Sequence, residues 1–450
     1  MKFYKYLNFN YTNYTKSNCI ISYPKNINQI IEIINFAKKN KKKILPIGSG
    51  LSWFDTIFNT NNIIVDLSYF KKIFIFNKSK GELSVSSGHK IKEIIYKINR
   101  HGWSLYSIPG GGEVSLGGCI GNDVHGKDSF KCGNFSQNII EMEVILPNKK
   151  KIKCSPKRNQ HIFKSVCGGL GLIGIITHVK LRLKPISKSY ESTTVACSNY
   201  KDLIYNLYKD KDKYEYINGW VDIFAKNKNI GRSIIFKSKK ILDNNRKNNN
   251  LNTSKFFNII QENLFGYCVR NNLVKYINFF IYNLFKFKKK NINSYKEIMF
   301  PLSSYGVDIK KIINPYSFFE IQIIIKNKNL KNDLRDFILL CQKLNLSGFV
   351  IGIKMHKKND NYLSFSDNGI SININQIFNS KKIFTTEVEK LKLLHNYVIK
   401  KKHKIYLCKD FLFDKKKIKL NYPNFKNFLK VKKKYDKYNL FSSNFLKRIS

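Results

Sequence analysis

The first 190 residues alternate between helical and strand-like patterns of apolar side chains. Residues 26–39 carry apolar side chains at helical spacing, and Asn26 or Asn28 is the expected N-cap. A second helix is predicted for residues 90–100. Short runs rich in β-branched residues predict strands at 44–47, 63–67, 83–86, 139–146 and 172–183. Such alternation is typical of an α+β domain built around a mixed sheet.

The pattern changes after Pro185, where glycine becomes rare. Strands of a second sheet are predicted at 216–224, 233–237 and 317–325, and amphipathic helices at 330–344 and about 386–400. A polar break at 243–254 precedes an aromatic and basic segment, so we interpret residues 240–300 as a flexible insertion with a helical portion. The predicted division is a first domain at 1–190, a second at 191–400 and a C-terminal segment at 401–450.

Composition excludes widespread disorder but leaves the meaning of the charge open. The chain has 450 residues, of which 43% are hydrophobic and 14% aromatic, enough for a large core. Its net charge of +51 raises the hypotheses of nucleic-acid or anionic-membrane binding. The excess is mainly lysine and accompanies heavy use of Asn and Ile, as AT-rich coding produces. No nucleic-acid reader motif accompanies it, so no nucleic-acid partner is expected.

The nine cysteines are scattered singly along the chain. Neither a CxxC pair nor a zinc-like Cys/His spacing occurs, so we expect reduced thiols in a cytosol and no metal site. The residues before Pro24 contain no apolar signal core, and no uncharged apolar run reaches about 18 residues. A cytoplasmic protein, at most peripherally associated with a membrane, is expected.

Three glycine-rich clusters carry the first chemical information. They lie at 48–52, at 109–127 and at 167–174. Glycine permits close approach to the backbone, and successive free N–H groups form a concavity that suits a pyrophosphate. Neither GxGxxG in a βαβ unit nor GxxxxGK[ST] is present, so a nucleotide triphosphatase is not indicated. The clusters predict a dinucleotide-like ligand lying across several loops.

The order of these clusters resembles a known superfamily. PIGSGLSW, then IPGGGEVSLGGCIGNDVHGKD, then FKSVCGGLGLIGIITHVKLRLKP are similar to the PCMH-type FAD-binding domain of the vanillyl-alcohol-oxidase superfamily. More narrowly, DVHGK followed by CGNF resembles the decaprenylphosphoryl-β-D-ribose 2′-oxidase family. The resemblance covers roughly residues 20–450, apart from 240–300. It implies a two-domain α+β fold with a C-terminal antiparallel-sheet domain that covers the substrate.

The resemblance also implies which residues hold FAD. Many superfamily members bond the flavin covalently to a histidine of the first loop, whereas this chain has Ser52, Trp53 and Phe54 there, so non-covalent FAD is expected. The implied cofactor-binding residues are Gly48, Ser49, Gly50, Leu51, Ser52, Pro109, Gly110, Gly111, Gly112, Ser115, Gly117, Gly118, Gly121, Asn122, Asp123, His125, Gly126, Gly168, Gly171, Gly174, Ile175 and Lys409.

Catalytic and substrate residues follow from the same resemblance. Lys409 would lie beside the flavin and stabilise the negative charge that reduction places on its ring. His125 or Tyr316 would be the general base, and the sequence does not choose between them. The implied substrate residues are Lys127, Trp220, Gln322, Lys354 and Asn373, the last at a position where mycobacterial members carry cysteine.

The implied reaction is hydride transfer from a secondary alcohol of a sugar to flavin N5, giving a ketone. Within the narrower family the sugar is a polyprenyl-phosphate-linked pentose, and the enzyme is the oxidase half of a 2′-epimerase in cell-envelope polysaccharide synthesis. Its partner there is an NADH-dependent short-chain reductase. One alternative is a sugar-1,4-lactone or alditol oxidase that uses oxygen. Another is a basic membrane- or nucleic-acid-binding protein on a relic flavin fold.

Non-covalent FAD leads to a simple prediction. Acid precipitation of the yellow protein is expected to leave the pellet colourless and to release FAD into the supernatant, because the first loop has no histidine. Absorption spectra before and after precipitation measure this. Colour kept in the pellet would contradict non-covalent binding. A colourless protein that takes up no added FAD would favour the relic-fold alternative.

Overall fold

A computed structural model describes residues 2–9, 15–241, 255–287, 290–301, 315–379 and 381–450. Its helices are α1 (Ile27–Lys39), α2 (Ile91–Asn99), α3 (Leu116–Gly121), α4 (Ser129–Cys132), α5 (Gln160–Val166), α6 (Tyr200–Tyr208), α7 (Lys255–Arg270), α8 (Val274–Lys286), α9 (Tyr295–Met299), α10 (Leu330–Lys343), α11 (Lys381–Lys400), α12 (Lys415–Asn421), α13 (Phe425–Tyr435) and α14 (Asn444–Ile449).

The first half of the chain forms two main sheets and a short strand pair. One sheet is mixed, because three of its strands run parallel and the first is antiparallel to its neighbour; its order is β1 (Tyr4–Phe9), β2 (Lys16–Ser22), β4 (Ile63–Asp66) and β3 (Ile44–Ile47). The other is antiparallel, in the order β5 (Phe74–Asn77), β6 (Glu82–Ser86), β10 (Ile175–Arg182), β8 (Ile139–Ile145) and β9 (Lys151–Cys154). The pair is β7 (Trp103–Ser104) with β11 (Lys184–Pro185).

The second half is dominated by one eight-stranded antiparallel sheet. Its order is β15 (Lys290–Ser294), β12 (Ser189–Cys197), β14 (Ser233–Lys240), β13 (Tyr216–Val221), β17 (Gly352–His356), β18 (Gly369–Phe378), β16 (Ser317–Lys326) and β19 (Lys404–Ile405). One face is apolar: Ile323 and Ile372 share a core with Leu334 of α10 and Leu391 of α11. The helices thus cover one face, and the other is left for the first half of the chain.

The strongest sequence patterns are confirmed within a few residues. The Asn26 side chain accepts a hydrogen bond from the Gln29 N–H at 3.0 Å and caps α1. The predicted strand at 44–47 is β3, and the helix predicted at 330–344 is α10. Strands β12 and β18 and helix α13 were not predicted as elements. The polar break at 243–254 lies outside the described residues.

One buried carboxylate joins the two halves. Asp123 follows the glycine-rich run and has a positive φ of 44°. Its Oδ1 accepts the Ser136 N–H at 3.1 Å, within the first half. Its Oδ2 accepts from Asn359 (2.8 Å), Asn361 (3.3 Å) and Ser364 (2.5 Å), all on the connection between β17 and β18. Because the carboxylate is fully buried, these donors replace the water it gives up on folding.

A second buried contact fixes the far end of the same turn. Asp128 forms an ion pair with Lys184, and both side chains are almost completely buried. The Asp128 carboxylate also accepts the Ser107 N–H at 3.1 Å. The turn at 123–128, which contains His125, is therefore held at both ends by buried carboxylates.

Replacing the joining carboxylate tests its importance. Asp123→Asn keeps the shape but offers one acceptor oxygen where Asp offers two, so at least one buried donor loses its partner. We expect the free energy of unfolding to fall by about 2–3 kcal/mol, measured by denaturant titration. Asp210→Asn, which breaks an exposed pair with Lys213, is the control and should leave the midpoint unchanged. Equal midpoints for both variants would show that Asp123 does not hold the halves together.

Candidate active site

A cavity of about 480 Å³ lies between the glycine-rich loops and the polar face of the eight-stranded sheet. Backbone from all three sequence clusters forms one wall, and side chains of β16, β17 and β18 form the other. Residues after β19 close one end. The polar and charged side chains in the lining are Ser49, Ser52, Thr56, Ser87, Ser115, Asn122, His125, Glu320, Gln322, Lys354, Ser371, Asn373, Tyr406, Cys408 and Lys409.

The glycine loops pack so closely that side chains are excluded between them. A Cβ at Gly48 would lie 1.7 Å from the Ser115 Oγ, so only glycine fits beside that hydroxyl. Ser115 in turn caps α3, because its Oγ accepts the Gly118 N–H at 3.1 Å. Gly171 has a φ of +75° and lies against Pro46 of β3. The three clusters therefore form a single continuous wall.

The opposite wall is a polar stripe across three strands. Glu320 and Gln322 alternate on one face of β16, opposite Asn375 and Asn373 of β18. The Asn375 amide donates to Glu320 at 2.7 Å. On β18 the stripe continues at Ser371, which is opposite Lys354 of β17. Strand alternation places all these side chains on the side that the helices do not cover.

His125 reaches the stripe from the glycine-rich side. Its Nε2 lies 3.0 Å from the Gln322 Nε2, and its Nδ1 has no partner among the described residues. Its ring packs against His356 at a centroid distance of 4.7 Å. Burial, followed by the charges of Lys354 and its neighbours, holds the pKa of His125 well below its usual value near 6.5. The imidazole is therefore neutral at pH 7.

Lys354 is the most distinctive charged group in the cavity. Burial, followed by repulsion from Lys409, lowers its pKa from 10.5 to about 8. Its ammonium group forms no hydrogen bond or ion pair with any residue in the described part of the chain. Burial and the charge of Lys354 also lower the pKa of Lys127 to about 7. The site thus contains several cationic side chains, of which Lys354 has no partner in the described part of the chain.

Lys409 has a carboxylate partner. Its Nζ forms an ion pair with Glu320 and lies 5.3 Å from the centroid of the Trp53 ring. The preceding Cys408 also lines the cavity, and burial raises the pKa of its thiol to about 12, so it stays protonated. Among the described lining residues, Glu320 is the carboxylate, and it lies close to both Lys354 and Lys409.

The structure brings most of the sequence-predicted residues together around this cavity. Predicted residues in the lining are Gly48, Ser49, Gly50, Leu51, Ser52, Pro109, Gly110, Ser115, Gly117, Gly118, Gly121, Asn122, His125, Gly171, Gly174, Gln322, Lys354, Asn373 and Lys409. The Asn373 side chain is also structural, since it accepts the Gly352 N–H at 2.7 Å and donates to the Val350 carbonyl at 2.8 Å.

Other predicted residues lie outside the lining that the described residues form. Lys127 is buried and donates to the Ile298 carbonyl. Tyr316 packs with an apolar cluster that contains Phe318. Asp123 binds protein donors, as described above. The remaining predicted residues outside the lining are Gly111, Gly112, Gly126, Gly168, Ile175 and Trp220.

Sequence reasoning missed Glu320 and Tyr406. Glu320 and Gln322 are polar residues two apart in the otherwise apolar strand SFFEIQIIIK, and that alternation is a usable signal for a polar face. Tyr406 donates to the Asn122 carbonyl at 3.0 Å and so links the two walls. That contact spans 284 positions in sequence, so no local pattern indicates it.

The cavity has the features that FAD requires. Its glycine wall presents backbone unobstructed by side chains, as a pyrophosphate needs. Buried polar atoms at the cavity, Asn122 Oδ1 and Gln322 Oε1, have no partner among the described residues and are available to a bound group. The loop at 48–54 contains no histidine, which fits non-covalent binding.

Comparison with known proteins agrees with this geometry. Residues 20–155 match the FAD-binding domain family, and residues 179–449 match the D-arabinono-1,4-lactone oxidase family. The second match spans more than half of the chain. The chain belongs to the D-arabinono-1,4-lactone oxidase family. FAD is thus the cofactor, held by an FAD-binding domain of the PCMH type.

The curated relatives include more than one kind of sugar oxidase. Decaprenylphosphoryl-β-D-ribose oxidase of Mycolicibacterium smegmatis is 24% identical over 44% of each chain. L-gulonolactone oxidase of Bos taurus is 24% identical over 60% of each chain. D-arabinono-1,4-lactone oxidase of Debaryomyces hansenii is 29% identical over 36% of this chain and 31% of the relative. Each match spans less than two thirds of the relative, and both branches of the expected superfamily are represented.

Within the described ranges, no helix combines the length and the apolar content that spanning a bilayer requires.

The contact between Gly48 and Ser115 predicts a loss of FAD affinity. Gly48→Ala forces the Ser115 hydroxyl away and removes the α3 cap, so we expect FAD to bind about tenfold more weakly. Fluorescence titration of the apoprotein with FAD measures this. Gly111→Ala is the comparison, since a Cβ there meets nothing within 4 Å, and it should bind FAD within a few-fold of wild type. Equal affinities would show that the wall tolerates a side chain at Gly48.

Proposed function

We propose that this protein oxidises a secondary alcohol of an anionic sugar derivative to a ketone, using non-covalent FAD. The observation that supports this is Lys354, a half-buried lysine that lines the cavity and has no hydrogen-bond or ion-pair partner in the described part of the chain. A cation partly withdrawn from water without a partner is costly unless a ligand supplies the opposite charge. Lys409 lies near enough to lower the pKa of Lys354, so the two cations create a pocket for an anion.

The carrier of that charge in our proposal is a polyprenyl phosphate linked to a pentose. A phosphodiester would place its negative charge at Lys354 while the sugar ring lies along Gln322 and Asn373. The M. smegmatis relative is a decaprenylphosphoryl-β-D-ribose oxidase, which supports this choice. The ketone product would then need a separate reductase to complete an epimerisation, and an NADH-dependent short-chain reductase is the partner we propose, in cell-envelope polysaccharide synthesis.

The side chains divide the chemical work among them. When bound, FAD supplies the hydride acceptor. His125 is neutral and would take the hydroxyl proton at Nδ1 in the tautomer that carries its hydrogen on Nε2. That tautomer requires the Gln322 side-chain amide to be turned over, so that its Oε1 accepts the Nε2–H of His125. Loss of the C–H hydrogen as hydride to that acceptor and of the O–H proton to His125 would leave the C=O bond of the ketone. The position of Tyr316 outside the cavity lining favours His125 as the base.

Oxidation of a sugar-1,4-lactone is the second candidate. The family match over residues 179–449 and the bovine and yeast lactone oxidases favour it. A lactone is uncharged, so it would bind through hydrogen bonds to Glu320 and Gln322 and would not use the charge of Lys354. The two candidates therefore differ in how strongly turnover depends on that lysine.

Lys354→Gln separates the two candidates. For a short-chain polyprenylphosphoryl riboside we expect KM to rise at least tenfold, and for D-arabinono-1,4-lactone to change less than threefold. Reduction of bound FAD under anaerobic conditions provides the rate. Lys358→Gln, a nearby exposed lysine, is the control and should change neither KM. Turnover of the lactone alone, unaffected by Lys354→Gln, would overturn the proposal.

The pKa of Lys354 predicts a pH dependence of KM for an anionic substrate. Because the pKa of Lys354 is about 8, its charge is present below pH 8 and is lost as the pH rises above it. KM for the anionic substrate should therefore increase above pH 8 in the wild type and stay flat in Lys354→Gln. A rise that persists in the variant would assign the titration to another group.

A further inference from the structure

Helix α8 packs one face against the protein and exposes apolar side chains on the opposite face. Its inner face contains Val274, Asn278 and Tyr282, which are buried, and Asn278 donates to Asp222 at 3.1 Å. Its outer face carries large apolar side chains at helical spacing, which we call the outer stripe. The outer stripe and the exposed fractions of its residues are Tyr276 (62%), Phe280 (68%), Leu284 (60%) and Phe287 (81%).

The outer stripe continues onto the preceding helix. Leu264 and Tyr267 of α7 are 61% and 56% exposed and lie one turn apart. Phe279 borders the stripe and is also exposed. Single exposed apolar residues are ordinary, but a cluster of six or seven on one hairpin exposes several hundred Å² and marks an interaction surface.

The charged residues of the sequence around α8 are all positive. Between Glu262 and Glu297 the sequence contains seven lysines and arginines and not one Asp or Glu. Lys275 and Lys286 are exposed and lie eleven positions apart, which places them along the same border of the outer stripe. Lys290 is exposed just beyond the helix. Lys288 and Lys289 lie outside the described residues.

The inner face connects the hairpin to the cavity. Val269 and Val274 share an apolar cluster with Phe318, and Trp53 and Val350 pack against the same cluster. Trp53 and Val350 also line the FAD cavity. The hairpin is therefore attached beside the active site, and its outer stripe points away from that attachment.

We propose that the hairpin of α7 and α8 docks the protein on an anionic lipid surface. The outer stripe would enter the boundary between head groups and acyl chains, and Lys275 and Lys286 would contact anionic head groups. A second copy of the chain is disfavoured as the occupant, because it would bring two surfaces without acidic residues against each other. Docking itself does not depend on the reaction; delivery of a lipid-linked sugar to the nearby cavity rests on the proposed function.

Vesicle binding tests the docking. Holoenzyme is sedimented with phosphatidylglycerol-containing vesicles and with pure phosphatidylcholine vesicles, over a range of salt concentrations. We expect wild type to prefer the anionic vesicles, Phe280→Ser/Leu284→Ser to bind at least tenfold more weakly, and Lys275→Gln/Lys286→Gln to bind ten- to thirtyfold more weakly with a reduced salt dependence. All four side chains are exposed, so the variants should fold.

Matched controls lie elsewhere on the surface. Tyr96→Ser and Tyr438→Ser replace aromatics of 80% and 79% exposure, and Lys415→Gln/Lys416→Gln replaces two exposed lysines of α12. These should bind vesicles like wild type. Equal weakening in the controls, absence of vesicle binding, or a change of oligomeric state in the stripe variants by sedimentation would overturn the proposal.

Turnover of a soluble substrate is a separate readout. The hairpin variants should keep the wild-type rate of FAD reduction by a short-chain, water-soluble substrate. Vesicle binding without any sugar oxidation would contradict the proposed function and leave the docking intact. Oxidation without vesicle binding would contradict the docking alone.

Discussion

The buried Asp123 carboxylate is the contact on which the arrangement of the site depends. It accepts hydrogen bonds from the first half of the chain and from the connection between β17 and β18. These bonds hold the glycine wall opposite the polar face of the large sheet. His125 follows two residues later and therefore reaches Gln322. A buried carboxylate is stable only when its acceptor positions are filled, so the junction has one satisfactory geometry.

The cavity beside this junction is lined by more positive than negative side chains. Lys354 and Lys409 face it, while Glu320 is paired with Lys409 and leaves Lys354 unmatched. Burial, together with this excess of positive charge, lowers the pKa of His125 and keeps it neutral, as a proton acceptor must be. The same excess leaves a position for a negatively charged ligand. Family membership identifies the cofactor, and our proposal of an anionic sugar in preference to a neutral lactone rests on these individual side chains.

The surface of the hairpin formed by α7 and α8 also presents apolar and cationic side chains. The outer stripe of α8 exposes apolar side chains to water at a cost in free energy, and Lys275 and Lys286 beside it form no ion pair with a described residue. A lipid surface with anionic head groups supplies both missing partners. Because the inner face of the hairpin packs beside Trp53 and Val350, a docked protein would hold its FAD cavity close to the lipid.

The sequence by itself determined the α+β class of the first domain and the three glycine clusters with their dinucleotide-like ligand, because these depend on local patterns of glycine and apolar residues. The assignment of FAD came through resemblance to a family. The sequence also indicated His125, Gln322, Lys354 and Lys409, but only through the same resemblance. Tertiary structure decided their pairing: Glu320 with Lys409, Gln322 with His125, and Asp123 with the β17–β18 connection. It also places Lys127 and Tyr316, which the resemblance assigned to the site, outside the cavity lining. Contacts between residues tens to hundreds of positions apart follow from strand register and packing, which no local pattern encodes.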